Sequence, residues 1–291
     1  MINKYVFYLT FLIISGIFAN DLLNKAKVHY NLQEYETAKT ILEQVLDNND
    51  EDAVALHWMG RTLIRLGALD DAVDFLEEAT EYAPDSANYH FWYGQTLGQN
   101  MSNASVLTQA LSAHKVLDAF EKTIELDPKH IGGHMGAANY YLQAPGIVGG
   151  DLDKARKEAE ILIELGSSQG RFILISVLEQ EGKTSEAEQA YLEFDKAFND
   201  STDNWSFYNN YGYFLLRQKR YEESIEKFKR QVELAQNQAN PHDSLGDAYR
   251  AAGKLKRAIA EYKKALAIDP GFKVSKEKID ELEEELSEKK D

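Results

Sequence analysis

The chain predicts an all-α fold assembled from repeated helical hairpins, and three observations carry that prediction. Small residues recur at a fixed interval: Ala38 to Ala72 is 34 residues, and Ser224 to Ala258 is again 34. The stretch from Ala239 to Pro270 reads as one complete hairpin, with Leu245, Gly246 and Tyr249 at helical spacing, Gly253 at the turn, and Leu255, Ala258, Ile259, Tyr262, Ala265 and Leu266 on one face of a second helix. Its contact positions are small. Gly246 opposite Ala258 and Ala265 lets two helix backbones approach closely, while Leu245, Tyr249 and Tyr262 fill the flanking space. Asn240 is expected to cap the first helix at Pro241, and Pro270 forces Asp269 out of helical geometry to end the second.

Leu245, Gly246, Tyr249, Ala258, Tyr262 and Pro270 stand at the signature spacings of the tetratricopeptide repeat, a helix-turn-helix unit, and the chain resembles that family. A single unit cannot bury its apolar face, so the resemblance implies that the units stack into one right-handed superhelical solenoid.

Taken in order, residues 1–19 read as a signal peptide: Lys4, an apolar run from Tyr5 to Phe18, and the small Ala19 before Asn20 and Asp21. That run is too short for a comfortable membrane span, so the mature chain is expected in the periplasm or secreted, with no integral span. Seven copies follow, near 20–52, 53–86, 87–130, 131–167, 168–203, 204–238 and 239–271. The second is nearly complete, with Leu56, Gly60, Leu63, Gly67, Ala72, Leu76, Ala79 and Pro84. The third and fourth carry insertions between their helices, ten residues around Gly98 to Thr108 and five within Ala144 to Gly150. The fifth is worn, keeping Leu178, Gly182, Ala187 and Tyr191, and three extra residues follow near Asn199 to Asp203. Residues 272–291 form a charged amphipathic helix with Val274, Ile279, Leu282 and Leu286 as its stripe, expected to cap the last copy.

The formal charge of −16 disfavours nucleic acid and anionic lipid surfaces and favours a protein or peptide partner of neutral or basic character. With no cysteine there is no disulfide, thiolate metal site or cysteine nucleophile. His130 and His134 share helical i, i+4 spacing, but His90, His134 and His242 occupy one place in their repeats, which points to packing or capping rather than a metal. The glycines from Gly146 to Gly150 lack the strand and the lysine of a phosphate loop, and Asp151 reads as the cap of the next helix. No catalytic group, cofactor or metal is expected.

In the family the first helix of each repeat lines the binding wall. Carrying those places over gives His57, Arg61, Arg65, Phe91, Gln95, Met135, Asn139, Leu142, Phe172, Ser176, Asn209, Tyr213, Arg217, Asp243, Asp247 and Arg250 as partner-binding candidates. Asn139 and Asn209 lack the lysines with which some relatives clamp a terminal carboxylate. The two insertions are expected side by side, bringing Ile147 and Val148 near Met101 and Leu107, where they fold down as a local plug or, as the rival arrangement, stand up as a lip that also binds. The reading is an exported, monomeric, non-catalytic scaffold; a metal-dependent or carboxylate-based hydrolase and a self-assembling structural spacer are the alternatives.

Overall fold

A computed structural model describes residues 20–101, 106–198 and 205–288, with the side chains of 106–111 and 198 outside the described set. The leader at 1–19, the tip of the first insertion at 102–105, the Leu107 side chain and the extra residues near Asn199 to Asp203 therefore lie outside it. Every regular element among the described residues is helical. The chain divides into two compact units, one ending at Lys183 and the other beginning at Thr184.

The N-terminal unit holds α1 (20–31), α2 (Tyr35–Asn48), α3 (Ala53–Leu66), α4 (Leu69–Tyr82), α5 (Ala87–Met101), α6 (Val106–Leu126), α7 (Ile131–Gln143), α8 (Leu152–Glu164) and α9 (Ser168–Gln180). Consecutive helices pack as antiparallel hairpins, and the first helices α3, α5, α7 and α9 also touch one another in succession. One core runs through α1 to α4 around Leu42, Met59 and Ala72, and another through α4 to α9 around Leu76, Phe120, Ala138 and Leu162. The hairpin spacing rests on missing side chains. A Cβ at Gly136 would fall 2.3 Å from Phe120 Cε1, so the ring of the preceding hairpin lies directly on the α7 backbone.

The C-terminal unit holds α10 (Thr184–Phe198), α11 (Trp205–Arg217), α12 (Tyr221–Leu234), α13 (Ala239–Ala251), α14 (Leu255–Ile268) and α15 (Lys273–Glu288). Aromatic stacking joins α10 to α11, Tyr191 on Tyr211 at 4.5 Å and Phe194 on Phe207 at 4.4 Å. The core of α12 to α15 buries Phe228, Leu245, Tyr262, Ile279 and Leu282. Three of the four stripe residues of α15 pack there, but Val274 stays half exposed.

The start of α13 corrects an expectation. Gln238 is the N-cap and Asn240 lies inside the first turn, its Oδ1 accepting from Gln231 Nε2 at 3.4 Å. Pro241 is tolerated one turn in because the first four amides of a helix have no intrahelical partner to lose. Asp151 caps the helix it was expected to cap, and Asp52 caps α3 without having been singled out in the sequence. Asp52 accepts from the amides of Val54 and Ala55, and Asp151 from those of Asp153 and Lys154. The first helices α3 and α13 close with a left-handed residue, Gly67 at φ 82° and Gly253 at φ 72°. Gln33 and Lys219 stand 34 residues before those glycines and adopt the same conformation at φ 63° and 59°.

Candidate partner-binding wall

In the N-terminal unit the wall made by α1, α3, α5 and α7 carries two distinct features. Toward α1 it is aromatic and cationic. The Arg61 guanidinium lies 4.4 Å from the Trp58 ring, 4.5 Å from Trp92 and 5.2 Å from Tyr30. Arg65 donates from Nε to the Tyr35 hydroxyl at 3.1 Å, and Lys27 Nζ stands 5.7 Å from the Trp58 ring. His57 departs from its expected place. It is only 3% exposed, stacked 4.5 Å from Tyr89 of the following hairpin, so it supports the wall instead of facing a partner. Burial first, then the charges of Arg61 and Lys27, push its imidazole down to about 3, which leaves it neutral.

Toward α7 the wall opens into a cavity of about 690 Å³ between α5, α6, α7 and the second insertion. Gln95, Asn139 and Val148 meet in its lining with Met101, Val116, Phe120, Tyr140 and Ile147. The insertion is a 3-10 turn, Gly146–Val148, gripped by its main chain: the Tyr140 hydroxyl donates to the Val148 carbonyl at 2.6 Å, Gly150 N to Pro145 O at 3.1 Å and Asp151 N to Tyr141 O at 2.9 Å. The favoured plug is thereby corrected at Ile147, while Val148 is half-buried in the cavity lining. Ile147 is 94% exposed at the rim, because every anchor acts on the backbone and none draws its side chain inward. The expected juxtaposition of the insertions holds for the described residues, since Met101 and Val148 share the cavity.

The remaining candidates of this unit are largely engaged in packing. Phe91 covers α7, where a Cβ at Gly132 would meet its ring at 2.5 Å, and its centroid is 5.0 Å from His130. Met135 and Leu142 lean on the core; Phe172 is half-buried on α9, and Ser176 donates to the Phe172 carbonyl at 3.0 Å. The histidine pair takes the capping and packing role: His130 Nδ1 accepts from Gly133 N at 3.0 Å, while His134 bonds Glu158 at 2.5 Å and Pro128 O at 3.0 Å. His90 repeats the second of these contacts on Pro84 O at 2.9 Å.

The corresponding wall of the C-terminal unit is closed by its own polar network. Tyr213 and Tyr262 donate to Asp247 at 2.9 and 2.7 Å; Lys278 of α15 donates to Asp247 at 2.7 Å and Asp243 at 2.8 Å, and Ser275 to Asp243 at 2.6 Å. Asn209 accepts from Ser244 at 3.1 Å and Gln231 at 3.2 Å. Arg250 reaches Glu281 at 3.0 Å, and Arg217 is exposed on the last turn of α11. Burial and then the neighbouring aspartates push the Tyr213 hydroxyl far above its ordinary range, and that of Tyr262 likewise through burial and its bond to Asp247. Asp243 is 6% exposed. Asp243 and Asp247 thus hold α15 in place, with Tyr213 bonded to Asp247, in a role that their wall positions did not announce because Lys278 is more than 30 residues away.

Tyr30, Lys27, Trp58 and Trp92 were not among the sequence candidates. A signal existed: Trp58 and Trp92 are 34 residues apart, one repeat, and Arg61 follows the first at helical spacing.

Helical hairpins whose first helices form a side-chain-lined wall define an all-α superhelical repeat protein, a class of protein-interaction scaffold that is typically non-catalytic. Two tetratricopeptide repeat profiles match, over residues 30–90 and 206–270, so both units carry tetratricopeptide repeats. It is 23% identical over 203 residues to a tetratricopeptide repeat domain-containing protein, PYG7, chloroplastic, of Arabidopsis thaliana, covering 65% of this chain and 67% of that one. Its fold is similar to that of a tetratricopeptide repeat protein from Parabacteroides merdae, with TM-score 0.68, 14% identity and coverage of 91% of this chain and 98% of that one. Yeast Tom70 is similar at TM-score 0.63 and 17% identity, over 88% of this chain and 52% of that one. Among the described residues no helix is long and apolar enough to cross a membrane.

Proposed function

We propose that the chain is an exported, monomeric, non-catalytic scaffold whose N-terminal unit receives a segment of a protein partner along the wall of α3, α5 and α7. The observation that carries this reading is the cavity, where Gln95, Asn139 and Val148, three positions picked out independently in the sequence, converge on a largely apolar lining. At about 690 Å³ it has room for bulky apolar side chains of a bound segment, with Ile147 on its rim to add contact area. The wall is built on packed helices, so binding need not order it. The leader composition supports export, which the mass of the mature N-terminus would test, an intact Met1 counting against it.

The test of the site uses a photo-crosslinkable residue at Gln95 in the native host. Captured protein should be lost when Asn139→Trp fills the cavity mouth, or when Ile147→Ser and Val148→Ser strip the rim, and retained with Glu36→Ala on α2. Capture unchanged in both site variants, each melting like the parent, would remove the cavity from the proposal.

A further inference from the structure

Arg61 makes no ion pair or hydrogen bond among the described residues. Its Nε is sealed from water without a partner, whereas its two Nη atoms are not among the sealed polar atoms and so open to solvent. A guanidinium withdrawn this far from water ordinarily meets a carboxylate, because its planar fork of donors costs free energy when left empty. Here Trp58, Trp92 and Tyr30 hold its plane instead, at 4.4, 4.5 and 5.2 Å. Lys27, 5.7 Å from the same Trp58 ring, likewise forms no ion pair among the described residues. Beneath them His57 is 3% exposed and its Nδ1 has no partner, a second buried polar group left unsatisfied beside the same guanidinium. In a chain of net charge −16 this is a local positive field with no acidic group answering it, and it is the local field that a partner feels within a Debye length of about 8 Å.

We infer that this aromatic collar is an anion subsite which takes a side-chain carboxylate from an acidic segment of the protein partner on the outer edge of Arg61. The inference rests on the proposed wall and names the chemistry of what lies along it. The rings have already fixed the guanidinium, so a carboxylate gains two charge-assisted hydrogen bonds without ordering a long side chain. The partner expected from total charge is neutral or basic. The charges at this position favour the opposite sign.

The probe is an acetylated and amidated octapeptide of alternating glutamate and leucine, titrated into the full chain and followed by calorimetry. Its affinity should exceed that of the glutamine-leucine peptide at least ten-fold and fall with salt; Arg61→Met should abolish the difference, and Lys27→Ala should reduce it by a few-fold. Equal affinity for the two peptides, no binding of either up to 1 mM, or a difference surviving in Arg61→Met would overturn the subsite. So would stronger competition by inorganic phosphate than by acetate, which would reassign it to phosphate. Each variant is scored only with a parent-like helical melt, and Lys27→Ala, on the surface of α1, provides the arm that keeps the fold. Asn139→Trp should leave the glutamate-to-glutamine ratio unchanged, so a failed cavity and a failed anion subsite give different results.

Discussion

At the scale of single residues the fold is decided by what is absent as much as by what is present. A Cβ on Gly246 would sit 2.4 Å from the ring of Tyr262, itself fully buried, so Gly246→Ala should cost about 1–3 kcal/mol in denaturant unfolding through overpacking. The opposite outcome is expected at Lys219. It holds a left-handed φ of 59° where the next repeat has Gly253, and Lys219→Gly should stabilise by about 1 kcal/mol, since the strain relieved outweighs the added chain entropy. His57 supplies a pH signature. Its folded-state value near 3 lies below the unfolded 6.5, so the unfolded chain binds the extra proton between these limits and stability is lost as pH falls. By pH 5 the loss is about 2 kcal/mol. His57→Phe, which keeps the stack on Tyr89, should lack that part of the acid dependence when melts are compared at pH 7.5 and 5.

At the scale of elements α15 is more than a solvating end. Lys278 ties it to Asp243 and Asp247, and its raised pKa reflects these two bonds working against the desolvation that would lower it. Lys278→Met leaves Asp243 buried without its counter-ion and should cost about 3 kcal/mol, seen as earlier unfolding of the C-terminal unit by hydrogen exchange. The helices themselves were legible from the sequence because local rules set them: period, caps and small contact residues all act within one hairpin. What escaped the sequence depends on neighbours one repeat away. His57 disappears under Tyr89 and Asp247 is claimed by Tyr262 and Lys278; neither follows from a residue's own position on a wall. Asn240 was misplaced for a subtler reason, since a proline fits several places in a first turn and does not mark its start. The insertion loop was correctly located but Ile147 was wrongly oriented, because apolar composition suggested burial while the anchors are carbonyls and amides.

For the whole molecule, charge is the property that composition reports and arrangement revises. An excess of 48 acidic over 32 basic residues keeps like chains apart, and light scattering over a concentration series should find the mass of one chain; growth of mass with concentration would favour a self-assembling spacer. Yet the same chain gathers Lys27, Arg61 and Arg65 on one wall of its N-terminal unit and closes the equivalent positions of the other unit with aspartates already bound to Lys278. Adding salt to 0.5 M should therefore weaken an acidic partner at the first wall, while leaving the half-buried Lys278 pairs largely intact.

The loop at Gly146–Val148 is a fixed stalk with a changeable tip. Since Tyr140 and Tyr141 grip it through main-chain atoms, Ile147 can be exchanged for almost any side chain without asking the fold to respond, and selection for a new partner could act there at no thermodynamic risk to the helices beneath.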